Sequence, residues 1–185
     1  MSFARKSAKP KAPLNEHALY DYAVKALGRR MRTEVELRRL LAARGEPGAS
    51  GEVAVRSVIA RLKEQHYLDD KSYAETYARL RKENEKLGAR RVRQDLRQKG
   101  VRAEVVEEAV NTRYSDTSEE ALAREHLERK RIKKPENEKE TARVMRRLVA
   151  AGFSTGTIYK ILRRWDVPDE SLAALENLET DPREE

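Results

Sequence analysis

Two adjacent carboxylates, Asp69 and Asp70, are the residues of this sequence best suited to acid–base or metal chemistry. Such chemistry needs converging partners, namely further carboxylates, a histidine or a phosphate-binding loop. The histidines are scattered at His17, His66 and His126, and their spacing matches neither H-x-x-x-H nor H-E-x-x-H. We therefore predict no catalytic residue, no metal site and no cofactor.

The same pair of aspartates fits the start of a helix. With Asp69 as the N-cap, Leu68 and Tyr73 stand at the N′ and N4 positions of a hydrophobic staple. Asp70 is then the first helical residue, where its negative charge favours the helix dipole. We predict a structural role for these four residues, in opening a helix.

Clusters of arginine form the second candidate site, because guanidinium groups bind phosphate and carboxylate groups in a bidentate manner. In one cluster, Arg90, Arg93 and Arg97 fall on a single helical face. A second cluster is partly neutralised by Glu34 and Glu36. The simpler alternative for both is a solvated helix face. The residues predicted to contact a partner protein or DNA are Arg29, Arg30, Arg32, Arg38, Arg39, Arg90, Arg91, Arg93, Arg97 and Lys99.

The net charge of the 185-residue chain is +8, and it is unevenly distributed. Residues 1–14 hold four cations and no acid, whereas residues 166–185 hold eight acids and one arginine. The body between them therefore attracts polyanions such as DNA, RNA or an acidic protein surface. The absence of cysteine excludes disulfides and thiolate sites and fits a cytoplasmic protein. No signal peptide and no membrane span are expected.

Three basic amphipathic segments that end in glycine indicate an internal repeat. The glycines are Gly45, Gly100 and Gly152, separated by 55 and 52 residues, and each is predicted to form a left-handed C-cap. A loop is predicted over 45–51. Thr33 and Glu36 are predicted to form a capping box at the start of the first of these segments.

Each glycine-terminated segment is predicted to be the middle helix of a three-helix unit. The helices before it are predicted to be longer, at 16–27, 71–86 and 118–132. Those after it are predicted to be shorter and apolar, at 58–62, 105–110 and 158–162. The fold class is therefore all-α, with three tandem three-helix repeats in an elongated, curved array. The predicted boundaries are a disordered basic tail at 1–14, repeats at 15–68, 69–115 and 116–167, and an acidic C-terminal tail at 168–185.

The segments YLDDKSYAETYARLR and GARRVRQDLRQKGV resemble the paired signature of the RecX family of RecA regulatory proteins. The resemblance extends over about 16–165. Two positions depart from the family pattern: Ala89 stands where proline is usual, and His66 where glycine is usual. The matching residues are Tyr67, Leu68, Asp69, Asp70, Tyr73, Gly88, Arg91, Val92, Leu96, Lys99, Gly100 and Val101.

The resemblance implies a non-enzymatic protein that binds the RecA–DNA filament in its helical groove. It implies modulation, mostly inhibition, of filament extension, ATP hydrolysis and strand exchange in recombination, DNA repair and the SOS response. The implied partners are the RecA filament and single- and double-stranded DNA, bound without sequence preference. A cytoplasmic monomer is expected.

Two alternatives stay open. The first is a general basic helical protein that binds nucleic acid and has no dedicated protein partner. The second is an Asp-dependent hydrolase, which would lose activity in Asp69→Asn and Asp70→Asn variants. A sequence-reading helix-turn-helix is disfavoured, because a recognition helix needs short polar side chains for base edges and the segment 103–113 is acidic instead.

Overall fold

Residues 12–167 are described by the computed structural model, and they form nine α-helices in three consecutive triplets. Within this range no β-strand is present, apart from an isolated bridge between Leu14 and Gly45. The predicted all-α class is confirmed. The helices are α1 (Glu16–Arg29), α2 (Glu34–Ala42), α3 (Ala49–Glu64), α4 (Asp70–Glu85), α5 (Ala89–Gln98), α6 (Ala103–Tyr114), α7 (Glu119–Arg129), α8 (Glu138–Ala150) and α9 (Thr155–Arg164).

The middle helices α2, α5 and α8 share one burial register. The residues four and eight positions before the three glycines are apolar and buried in every triplet. This spacing places them on one face of the helix, which is the face that packs into the core. The six residues are Leu37, Leu41, Val92, Leu96, Val144 and Leu148.

Two compact units make up the chain, and their boundary lies inside α4, between Tyr73 and Ala74. The first unit contains the first triplet, whose core includes Leu19, Leu41 and Leu62. The second unit contains most of α4 and the remaining helices. The core of its last triplet is built around residues such as Leu127, Leu148, Phe153, Ile158 and Leu162.

Two of the three predicted glycine caps are confirmed. Gly100 and Gly152 adopt φ values of 82° and 89°, the left-handed conformation that ends a helix. The prediction for Gly45 is wrong, because its φ is not positive. The chain there passes alongside Leu14 instead, and the Leu14 N–H donates to the Arg44 carbonyl at 2.8 Å.

The predicted loop over 45–51 is too long, because α3 already begins at Ala49. Gly48 takes the left-handed conformation, with a φ of 83°. Gly51 lies inside the helix, where any side chain would collide with the Glu46 carbonyl. The small residues that predicted a loop are therefore needed for close packing at the start of a helix.

Helix lengths also differ from the prediction. In the first two triplets the third helix is longer than the middle one, since α3 has 16 residues against nine in α2, and α6 has 12 against 10 in α5. In the last triplet the first helix is shorter than the middle one, since α7 has 11 residues and α8 has 13. In the last triplet α7 ends at Arg129, three residues before the predicted end at 132. The chain turns there because Arg131 adopts a left-handed conformation, with a φ of 52°.

The two aspartates serve two different helices. Asp69 Oδ1 accepts hydrogen bonds from the backbone N–H groups of Lys71 at 2.8 Å and Ser72 at 3.3 Å, which caps α4. Asp70 Oδ1 accepts from the backbone N–H of Glu34 at 2.8 Å, in the first turn of α2. Burial raises the pKa of Asp70 above its ordinary value. The second aspartate thus ties α4 to α2.

The hydrophobic pair that accompanies this helix start is buried. Leu68 is 3% exposed and Tyr73 is 8% exposed. The Thr33–Glu36 capping box at the start of α2 is present, as predicted. Both ends of the Asp70 contact are therefore held by their own local helix caps.

Candidate partner-binding surfaces

Two of the arginines predicted to contact a partner are engaged inside their own triplet. Arg93 Nε lies 2.8 Å from Glu107 Oε2, and Arg97 Nη2 lies 2.7 Å from Glu107 Oε1. Arg93 also donates to Asn111 Oδ1 at 2.7 Å. The Arg93 side chain is only 27% exposed. These contacts join α5 to α6, so the acidic α6 neutralises part of the basic face of α5.

The other predicted cations of this helix are also near acids or rings. Arg91 Nε pairs with Asp95 Oδ1 at 2.9 Å. Lys99 Nζ lies 5.7 Å from the ring centroid of Tyr77, which itself donates to Asp95 Oδ2 at 3.0 Å. Arg90 is exposed, and its charge helps to lower the pKa of Glu119 on α7. The α5 cluster therefore presents less free positive charge than its sequence indicates.

In the first unit the predicted cluster divides into paired and exposed members. Arg38 donates to Glu34 at 2.6 Å, and Lys63 of α3 donates to the same carboxylate at 2.9 Å. The hydrogen bond from Lys63 contributes most to lowering the pKa of Glu34. Arg32 is partly buried, and its Nε has no hydrogen-bond partner in the described part of the chain. Arg38 is exposed as well as paired, whereas Arg29, Arg30 and Arg39 are exposed and have no ion pair within residues 12–167.

A row of exposed cations on α8 was not among the predicted site residues. Lys139, Arg143, Arg146 and Arg147 all face solvent, and none has an ion-pair partner among residues 12–167. The opposite side of α8 is buried. The sequence signal was present, because the only acids of this helix, Glu138 and Glu140, lie in its first turn.

Known proteins of one family are similar to this chain in sequence. The family model for the second three-helix domain of RecX matches residues 69–110. A regulatory protein RecX from Mycolicibacterium vanbaalenii is 34% identical over 153 residues, which cover 81% of this chain and 80% of the relative. A regulatory protein RecX from Cronobacter sakazakii is 35% identical over 80% of this chain and 92% of its own length.

This chain belongs to the RecX family. Solved structures share its fold. A crystal structure of regulatory protein RecX has a TM-score of 0.64 and 23% identity, covering 80% of this chain and 71% of that chain. The crystal structure of RecX from Lactobacillus salivarius has a TM-score of 0.60 and 23% identity, covering 82% and 96%.

Both departures from the RecX pattern lie at helix ends. His66 follows α3 in a left-handed conformation with a φ of 57°, which glycine adopts without strain. Ala89 is the first residue of α5, where proline is favoured. Gly88 before it has an extended conformation, with φ −70° and ψ 157°, which a following proline also requires.

Close glycine packing joins α5 to the end of α8 in this RecX-family chain. The Gly88 N–H donates to the Ala151 carbonyl at 2.9 Å. A side chain at Gly88 would collide with the backbone of Gly152, and one at Gly152 would collide with Arg91. Gly88 of the RecX signature is therefore needed for close contact between the second and third triplets. The sequence could not show this contact, because its two members are 64 residues apart.

A half-buried carboxylate near the start of α7 has a structural role. Glu119 accepts hydrogen bonds from the Ser154 N–H at 2.9 Å, the Thr157 hydroxyl at 2.6 Å and the Ser154 hydroxyl. Burial by itself would raise the pKa of Glu119, but these hydrogen bonds outweigh it and the pKa lies below its ordinary value. Glu119 thus fastens α7 to the start of α9.

The buried histidine of the second unit makes structural contacts. His126 is 5% exposed, its Nδ1 lies 3.2 Å from the Glu85 carbonyl, and its ring packs edge-on against Phe153. Within residues 12–167 no cluster of three or more His, Cys, Asp or Glu side chains is placed to hold a metal ion. No helix in this range combines the length and apolar character needed to cross a membrane.

Proposed function

We propose that this RecX-family chain is a non-enzymatic regulator that binds the RecA–DNA filament in its helical groove. Bound there, it limits filament extension, ATP hydrolysis and strand exchange. The observation that carries the proposal is the row of exposed arginines on α8, which have no acidic partner among residues 12–167. The proposal includes a monomeric, cytoplasmic form.

Exposed arginines suit such a partner for an electrostatic reason. A groove formed by protein and DNA offers phosphate and carboxylate groups, which the guanidinium group binds with two parallel hydrogen bonds. Each phosphate contact releases a condensed counterion, so the affinity falls steeply with salt. Arg143, Arg146 and Arg147 need not break an ion pair within residues 12–167 before they bind.

The α5 arginines have a different part in this proposal. Arg93 and Arg97 would have to leave Glu107 in order to contact a partner. Exposed ion pairs are weak, about 0–1 kcal/mol, so Arg97 can exchange Glu107 for a phosphate at little cost. Arg93 is less exposed and bonds two acceptors, so we assign it to holding α5 against α6.

The test is RecA ATP hydrolysis on preformed filaments with DNA in excess. The wild-type chain is expected to inhibit hydrolysis, and an Arg143/Arg146/Arg147→Gln variant to inhibit at least tenfold less at equal concentration, since three contacts are lost. An Arg102/Arg113/Lys133→Gln variant removes the same charge from exposed positions elsewhere and is the matched control.

Two results would contradict the proposal. If the wild-type chain leaves hydrolysis on preformed filaments unchanged at low salt, the protein is not a filament regulator. If it inhibits only when DNA is limiting, it competes for DNA, and the general nucleic-acid-binding alternative is correct.

A further inference from the structure

The exposed side of α8 carries four cations that have no acidic partner among residues 12–167. Lys139 and Arg143 are four residues apart, and Arg146 and Arg147 follow three and four residues later, so all four share one side of the helix. Like charges at this spacing repel each other, and an acidic segment laid along them relieves that repulsion. We call these four residues the α8 cation row.

The chain leaves the described fold near the start of α8, on the buried side of that helix. Val167, the last described residue, is buried in the same core as Val144 and Leu148 of α8. A groove of about 530 Å³ lies at this point, and its lining includes Thr141 of α8 and Trp165. A segment that continues from Val167 therefore starts near the first turn of α8 and has to pass around the helix to reach the row.

Residues 168–185 have the charge and the length to cover the α8 cation row. They contain seven acids and one arginine, with leucines at Leu172, Leu175 and Leu178. The 13 residues of α8 span about 20 Å, and 18 residues span about 27 Å even at the short rise of a helix. Val149 of α8 is 44% exposed and offers an apolar neighbour to the leucines.

We propose that residues 168–185 dock on the α8 cation row and compete there with the anionic partner. The tether keeps the acidic segment at a local concentration of about millimolar, so pairs that are individually weak are sufficient. The competition rests on the proposed function, whereas the docking itself does not. A partner of high charge density then displaces the acidic segment from the row more readily than an isolated nucleic acid strand does.

The docking is tested by NMR on the full chain without RecA or DNA. Spectra of the wild-type chain are compared with those of a variant in which the seven acids of residues 168–185 are neutralised. The substitutions are Asp169→Asn, Asp181→Asn, Glu170→Gln, Glu176→Gln, Glu179→Gln, Glu184→Gln and Glu185→Gln. We expect backbone amide signals of α8 to differ between the two chains. The difference should vanish when both carry Arg143/Arg146/Arg147→Gln, and persist when both carry the control Arg102/Arg113/Lys133→Gln.

Three outcomes would overturn the docking. The α8 signals are the same in the two chains, or the signals of α1 and α2 change instead, or the α8 change grows with protein concentration. The last result would mean that the segment binds a second copy of the chain rather than its own α8.

The competition has a separate readout. We expect the neutralised variant to bind a labelled oligothymidylate of about 30 nucleotides roughly tenfold more tightly than the wild type at about 50 mM salt. At about 500 mM salt the difference should disappear, since charges are screened. Equal affinities at low salt would overturn the competition, while failure of the proposed function would show only in the RecA assay.

Discussion

At the scale of residues, the side chains best suited to acid–base or metal chemistry have structural roles. Asp69 caps α4, Asp70 accepts from the first turn of α2, and His126 is buried against Phe153. The helix start at Asp69 was predictable from the sequence because capping is local. The contact of Asp70 was not, since its partner Glu34 lies 36 residues away.

Replacing His66 by glycine should stabilise the protein. His66 holds a left-handed conformation that costs a non-glycine residue about 1 kcal/mol, so His66→Gly is expected to raise the free energy of unfolding by about 0.5–1 kcal/mol. Urea unfolding measures the change. As a control, Glu64→Gly in the last turn of α3 should lower the stability by a similar amount. A loss of stability in His66→Gly would contradict the strain argument.

Protonation of His126 should weaken the fold. Burial lowers the pKa of His126 below its ordinary value, and the charges of Lys130 and Arg129 act in the same direction. Because the folded pKa is the lower one, this stability is complete above the unfolded pKa of about 6.5 and is lost as the pH falls below it. The free energy of unfolding should therefore decrease between about pH 7.5 and pH 5.5.

Two variants check that this pH dependence belongs to His126. His126→Gln should show a smaller decrease over the same range, because it does not titrate. His17→Gln should keep the wild-type decrease, since the His17 side chain is 85% exposed. An equal pH dependence in the wild type and His126→Gln would refute the assignment.

At the scale of elements, the three middle helices were predictable and their surfaces were not. The register of buried residues before Gly100 and Gly152 follows from apolar spacing and from the need for a left-handed cap. The pairing of Arg93 with Glu107 depends on how α5 packs against α6, which spacing within one helix does not reveal. Prediction from the sequence therefore overestimated the free charge of α5, and it did not assign the cations of the basic helix α8 to partner contact.

The Arg93–Glu107 pair should contribute to stability more than to partner binding. Glu107 is 40% exposed, so a double-mutant cycle of Arg93→Ala and Glu107→Ala should give a coupling of about 0.5–1 kcal/mol. Inhibition of RecA by folded Glu107→Ala should stay within about twofold of wild type. A coupling near zero, or a tenfold loss of inhibition in Glu107→Ala, would contradict this prediction and would indicate that the pair takes part in partner binding.

At the scale of the whole molecule, charge separates the ends of the chain from its body. The basic first 14 residues lie almost wholly outside the described part, and so does the acidic end from residue 168. Family membership was predictable, because the motifs around Asp69 and Gly88 are specific in type and spacing. The cations that remain exposed are distributed over both units, with Arg29, Arg30 and Arg39 in the first and the α8 cation row in the second.

Direct binding to the RecA filament tests the central claim. Fluorescently labelled wild-type chain and Arg143/Arg146/Arg147→Gln variant are titrated with preformed RecA–DNA filaments at increasing salt. We expect the variant to bind at least tenfold more weakly at about 100 mM salt, with a salt slope reduced by about 2–3, since about 0.9 is lost per phosphate contact. Equal affinity and equal salt slope for the two chains would show that α8 is not on the binding surface and would contradict the account.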